Sequence, residues 1–414
     1  MKIKSTILTG ATLAALSAFS VQAADTIKIG FIDPLSGPFA ATGTNGIQQF
    51  RYAVEELVNK KGGVLDGKKF EIVPYDNKIS PKESLVQLKR AIGEGVHYIA
   101  QGSSSGVANA LTDAIKKHNK RNPDNRVLFL NYSAVDPALT NAKCNYWHFR
   151  FDANADIKMN ALTDVIKANT EIKKVYLIGQ DYSFGKAVAA AAVKFLGEKR
   201  PDVEVVGNEL HPIGKVKDFT PYATKIRASD ADAVITGNWG ADMVGLGKAI
   251  GETGLDIPIY TYYAANDGIT KTIGAGGKNK IRVVHEGPTN PPSTEAYAAY
   301  HRGFKAKNPE KDISQFRIAN VIQMLAAAME KTGSMKPIDV AGALEGMEFT
   351  TLHGEKVTMR AEDHQLIQPV HISVHTDEDI TFDSDNSGYG LKLESTVAAN
   401  DTALPTTCKM RRPK

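Results

Sequence analysis

The chain has 414 residues, 42% of them hydrophobic and 23% charged, with 50 Lys plus Arg against 46 Asp plus Glu and a formal net charge of +4. That composition excludes a disordered chain, a collagen and a multi-span membrane protein. The charge is nearly balanced and no dense basic stripe accompanies it, so nothing points to nucleic acid as a partner.

The chain opens with Lys2 and Lys4, an apolar stretch from Ile7 to Phe19, and Val21-Gln22-Ala23. A positive start, a short apolar run and a small-x-small end form an export signal, and cleavage is predicted after Ala23. No later apolar run approaches the roughly 18 residues of a membrane helix. The expected product is residues 24–414, in a bacterial periplasm. The chain has two cysteines, Cys144 and Cys408, too few for a four-cysteine metal site. In an oxidising compartment they predict one disulfide, pinning the C-terminal segment back against the first half of the chain.

Strands are predicted at Ile27–Ile32, Phe70–Tyr75, His97–Gln101 and Val127–Asn131, with helices at Gly43–Lys60, Pro81–Glu94 and Val107–His118. The alternation resumes with strands at Val175–Gly179, Val203–Val206, Ala233–Thr236 and Ile257–Tyr260. Helices fall near Ala155–Lys167, Phe184–Glu198, Phe219–Ala228 and Ala241–Glu252. Helices come again at Thr294–Lys307, Phe316–Lys331 and Ile338–Leu344, and a late strand at Pro369–His375. Short apolar strands joined by helices imply parallel sheets covered on both faces. There are too many strands for one small sheet and enough for two doubly wound lobes, with the ligand site outside the carboxyl ends of the strands. Residues 376–414 lack helical period, are rich in Asp, Ser and Thr, and read as an extended tail.

Gly102-Ser103-Ser104-Ser105-Gly106 falls between a strand and a helix. It matches the G-x-S-x-G pattern, which makes Ser104 the candidate nucleophile of a secreted serine hydrolase. The same turn presents free N–H groups and hydroxyls at a helix start, a site for a carboxylate or amide oxygen. The histidines form no recognisable catalytic pair, and the His353-Gly354 pair lies far downstream, so polar-group binding is the better reading. There is no P-loop and no H-E-x-x-H motif, and no cofactor or metal is expected. Gly245 and Gly247 read as helix packing. Aromatic residues recur just after strands: Tyr132, Tyr182, Phe184, Trp239, Tyr262 and Tyr263. Their repetition at one topological position suits a ligand-lining role.

Several segments together resemble the periplasmic branched-chain amino-acid-binding family of ABC importers. They are Ile27-Lys28-Ile29-Gly30-Phe31 with Leu35-Ser36-Gly37-Pro38, Asn59-Lys60-Lys61-Gly62-Gly63, Tyr75-Asp76, and Ser103 to Ser105. Ala134-x-Asp136-Pro137-x-Leu139-Thr140 and Asp181-Tyr182-Ser183-Phe184-Gly185 complete the set. The resemblance implies an α/β, type I periplasmic binding fold: two lobes joined by three crossovers, near Trp147–Phe151, Val284–Gly287 and Glu355–Arg360. Lobe 1 would hold 24–147 and 288–354, and lobe 2 would hold 148–287 and 355–380, with the tail 381–414 returning to lobe 1. It implies a monomeric receptor without enzymatic activity that delivers a small ligand to an inner-membrane ABC permease. Ser105, Ser104, Ser133 and Tyr132 would face the ligand from one lobe, and Phe184, Trp239, Tyr262 and Tyr263 from the other. Two positions depart from the family pattern: Val135 stands where a threonine is expected, and Tyr263 where an ammonium-binding carboxylate is expected. A buried ammonium without a partner costs several kcal/mol. The pocket therefore suits an uncharged or carboxylate-only ligand with an apolar or aromatic body better than an amino acid, unless Asp267, Asp136 or another acid substitutes, and the chain resembles a subgroup linked with aromatic-acid uptake.

Overall fold

The computed structural model describes residues 26–265 and 267–413; the signal segment and cleavage site predicted within residues 1–23 lie outside them. The first sheet is parallel throughout, built from β1 (Ile27–Asp33), β2 (Phe70–Asp76), β3 (Tyr98–Gln101), β4 (Leu128–Asn131) and β5 (His148–Arg150) in the order β2-β1-β3-β4-β5. Helices α1 (Ala40–Leu57), α2 (Pro81–Gly93) and α3 (Ser105–Arg121) connect its strands. Local chemistry sets these starts. Pro81 opens α2, and the Ser80 hydroxyl caps it by accepting from the Glu83 amide at 3.3 Å. The core of this body joins Ile29, Phe31, Ile99 and Leu128 to Val321 and Leu325 of the late helix Arg317–Thr332.

After β5 the chain enters α4 (Ala155–Ala168), capped by Asn154, whose side chain accepts from the Ile157 amide at 2.9 Å. A second sheet is built from β6 (Lys174–Gln180), β7 (Glu204–His211), β8 (Ala233–Thr236), β9 (Ile259–Thr261) and β10 (Ile281–His285), all parallel. Three short strands, β11 (Glu348–Thr350), β12 (Lys356–Met359) and β13 (Leu366–Ile367), form a small antiparallel sheet. β14 (Val370–Thr376) and β15 (Gly390–Val397) then complete the second sheet as antiparallel strands, in the order β15-β14-β10-β9-β8-β6-β7. Gly245 and Gly247 do serve helix packing: a Cβ on Gly245 would stand 2.6 Å from the Phe219 ring, and one on Gly247 3.2 Å from Ile273.

Two expectations need correction. The third crossover is not at Glu355–Arg360. Those residues include β12, and Val357, Met359 and Leu366 are buried in the core of the first body. The chain passes over after β13, where Gln365 and Gln368 donate to the carbonyls of Asp152 and Phe151, both at 2.8 Å. Residues 376–414 are not simply a tail, because β15 pairs with β14 along its whole length. The segment beyond β15 returns to the first body. The Leu404 carbonyl accepts from Arg360, Thr406 donates to the Thr140 carbonyl at 2.7 Å, and Cys408 is bonded to Cys144.

The disulfide spans 264 positions of sequence. Closing so long a loop restricts the unfolded chain by up to about 5 kcal/mol. Replacing Cys144 and Cys408 together by serine is expected to lower the unfolding free energy by a large part of that figure, seen as a lower midpoint in urea titration. An unchanged midpoint would show that the loop closure contributes nothing.

Candidate functional site

The carboxyl ends of both parallel sheets face one cleft, where Ser104, Ser105, Ser133, Phe184, Trp239, Tyr262 and Tyr263 line a single cavity. Tyr132 does not line it. The Tyr132 ring packs against Phe31 and Phe50 in the first core, and its hydroxyl donates to Asp33 at 2.6 Å.

The serine turn leaves β3 at Gln101 and becomes α3 at Ser105. Gly102 is required there, since a Cβ would stand 2.6 Å from the Tyr132 ring. Ser104 has φ +81°, a value that non-glycine residues seldom take, and no side-chain bond caps α3. The first amides of α3 are therefore available to an anion. Ser105 Oγ accepts from the Asp136 amide at 3.2 Å, which leaves its proton free to donate. For Ser104 as a nucleophile, a base is needed. Among the described residues no hydrogen bond joins it to a histidine, and the histidine lining the cavity, His285, is bonded through Nε2 to Ser373 at 2.7 Å.

The opposite wall is aromatic. Trp239 Nε1 donates to the Tyr182 hydroxyl at 2.8 Å, and Phe184 meets Tyr262 edge-on with ring centres 5.5 Å apart. Tyr262 is itself fixed by a 2.8 Å bond to the Ala155 carbonyl. The bodies touch across the cleft mouth. Phe39 and Trp239 have ring centres 4.3 Å apart, and Asp267 accepts from Thr42 at 2.8 Å and Asn45 at 3.2 Å. Burial pushes the Asp267 carboxyl up to about 6.

The group that the sequence reading missed lies at the hinge. Asp152 follows β5 and Glu286 follows β10, so each sits on a crossover. Lys158 of α4 pairs with Asp152 at 2.8 Å and Glu286 at 2.6 Å. Arg317 pairs with Asp152 at 3.1 Å and Glu286 at 2.8 Å. All four side chains are buried. Burial works to raise the Glu286 carboxyl, but Lys158 and Arg317 outweigh it and hold it well below the usual range. Arg317 also donates to the Tyr132 carbonyl at 2.6 Å and to Ser133 Oγ at 2.7 Å, and the Tyr263 hydroxyl lies 3.4 Å from both Asp152 and the Ser133 carbonyl. A signal was present. Arg317 shares a helix face with Val321, Met324 and Leu325, and Lys158 shares one with Ala161 and Leu162. Cations on apolar stripes require buried partners.

The family comparison agrees with this architecture: residues 26–377 match the periplasmic binding protein family model, and the chain belongs to that family. It has the type I fold of these solute-binding proteins. It is 32% identical over the full length of both chains to a "Leu/Ile/Val-binding protein homolog 4" of Brucella abortus. A closed-conformation crystal structure of a leucine-, isoleucine-, valine-, threonine- and alanine-binding protein from Brucella ovis superposes with a TM-score of 0.82 at 32% identity, covering 94% of this chain and 100% of that one. A Rhodopseudomonas palustris solute-binding protein of an ABC transporter, crystallised with p-hydroxybenzoic acid, shares the fold with a TM-score of 0.77 at 20% identity, covering 91% and 98%.

The hinge charges yield a prediction. Lys158→Met leaves two buried carboxylates with one cation and is expected to cost roughly 3–5 kcal/mol. Lys186→Met, at the exposed pair with Asp181, is expected to cost under about 1 kcal/mol. Equal denaturation midpoints for the two variants would refute the distinction.

Proposed function

We propose that this chain is a periplasmic receptor that takes up a small organic carboxylate with an apolar or aromatic body and delivers it to an inner-membrane ABC permease. It acts as a monomer, without catalysis, after its signal segment is removed at Ala23. The observation that carries the reading is the pairing, across one cavity, of the uncapped α3 start and its serines with the wall of Phe184, Trp239 and Tyr263. Ser105 and the first α3 amides hold the carboxylate, and Ser133, its oxygen already occupied by Arg317, turns its proton toward the ligand. The aromatic rings cover the body on closure. An amino-acid ligand is the second reading. It is favoured by the names of the relatives and by Asp267, a cavity-lining carboxylate with no ion pair among the described residues.

Calorimetry against benzoate, leucine, isoleucine and valine separates the two. Benzoate is expected to bind and the amino acids weakly or not at all. Leucine binding at micromolar strength or tighter, with no response to aromatic acids, would select the second reading. Ser105→Ala removes a bond to a charged oxygen and is expected to weaken carboxylate binding roughly ten- to a hundredfold. Ligand should also change tryptophan fluorescence, and Trp239→Phe should abolish most of the change. A signal carried wholly by Trp147 would count against the aromatic wall.

A further inference from the structure

Asp33 ends β1 and is fully buried, and no ion pair reaches it among the described residues. Its Oδ2 accepts from the Gly102 amide at 3.1 Å and from the Tyr132 hydroxyl at 2.6 Å; its Oδ1 accepts from the Ser103 amide at 2.9 Å and lies 3.5 Å from Gln101 Nε2. Gln101 in turn donates to the Ser103 carbonyl at 2.6 Å. The first two amides of the serine turn are thus spent inward, on a side chain from a neighbouring strand. The next residue, Ser104, takes its positive φ, and α3 begins at Ser105 without a side-chain cap.

We propose that Asp33 is a positioning residue for ligand capture: its ionised carboxylate draws in Gly102 and Ser103 and so aims the α3 N-terminus at the cleft. The inference rests on the reading of that N-terminus as the carboxylate site. Two backbone amides and a side-chain amide can only donate, so their common partner must only accept. Asparagine in its place would set an NH₂ group against an amide N–H. Tyr132 is part of the same device. Its ring excludes a side chain at Gly102, its hydroxyl supplies the fourth donor, and its carbonyl is held by Arg317, which ties the turn to the hinge charges.

Burial pushes the Asp33 carboxyl up to about 7, against the opposing effect of its donors Tyr132, Ser103, Gly102 and Gln101. The titratable neighbour facing it is Tyr132, which burial keeps protonated. A pKa raised on folding means that the folded chain holds its proton between the ordinary carboxylate range and about 7. The stability owed to that proton is lost as pH rises through about 7, where the ionised, turn-holding form takes over.

The test is amide NMR of the full exported chain, wild type against Asp33→Asn and Tyr132→Phe. The Gly102 and Ser103 amide shifts are expected to titrate near pH 7 in the wild type and to be flat in Asp33→Asn. Exchange at those two amides should rise about tenfold or more in Asp33→Asn and by a smaller factor in Tyr132→Phe, with Ile29 in β1 unchanged. Unaltered exchange in both variants would overturn the proposal; if Asp33→Asn does not fold, Tyr132→Phe decides by the same measure. In calorimetry with benzoate, Asp33→Asn should raise the dissociation constant about tenfold or more, and an unchanged constant would overturn the positioning role. Absence of benzoate binding by the wild type would count against the carboxylate reading instead, and the amide measurements would still decide the role of Asp33 in the turn.

Discussion

Two cations from opposite bodies share two carboxylates on the crossovers between them, and the geometry of the cleft depends on that exchange. Lys158 comes from the helix that opens the second body and Arg317 from the helix packed on the first, while Asp152 and Glu286 sit on the connecting segments. Four buried charges are a costly way to fill a core, and well-packed apolar residues often do as well or better. What the charges supply is registry: with either cation displaced, two buried carboxyl groups are left to share one cation. The bodies therefore meet through buried charges at the crossovers, and at the cleft mouth through Phe39 on Trp239 and the Asp267 hydrogen bonds.

The same network reaches the ligand-facing groups without an intermediary. Arg317 bonds to Ser133 Oγ, and the Tyr263 hydroxyl lies within 3.4 Å of both Asp152 and the Ser133 carbonyl. Any rotation about the crossovers that moves Asp152 also moves the tyrosine facing the cavity. Cavity-lining groups and hinge are thus joined by direct hydrogen bonds.

The sheets were legible because each parallel strand, buried on both faces, reads as a short apolar run. The serine turn was legible because a glycine-bounded serine cluster between strand and helix has few other uses. The third crossover was misplaced because β11 to β13 are two to four residues long and their apolar members, Val357, Met359 and Leu366, serve the first core at a place where the chain was expected to have left it. β15 went unread although Leu391 and Leu393 alternate with polar residues, because Asp- and Ser-rich neighbours masked a strand with one wet face. Tyr132 was assigned to the ligand by its position after a strand. Which way a side chain turns there is settled by its partner, Asp33, 99 positions earlier in sequence. The apolar stripes marked Lys158 and Arg317 as cations in need of buried partners, but not which partners: pairings such as that of Lys158 with Glu286 exist only once two crossovers are side by side.

Charge accounting around the cavity constrains what it can hold. Lys158 and Arg317 reach the lining, and each is paired from behind with Asp152 and Glu286. In the proposed reading a bound carboxylate is met by the amides that open α3 and by serine hydroxyls. Hydrogen bonds to a charged group are worth about 1.5–3 kcal/mol each, and the helix N-terminus adds up to about 2 kcal/mol in partly buried sites. Two or three such contacts make up most of what a rigid small acid needs, with burial against the aromatic wall supplying the rest. An ammonium group gains from none of these donors, and its single opportunity is Asp267, whose oxygens already hold Thr42 and Asn45. In the proposed reading it is the polarity of the site, set by where a helix begins, that favours an anion.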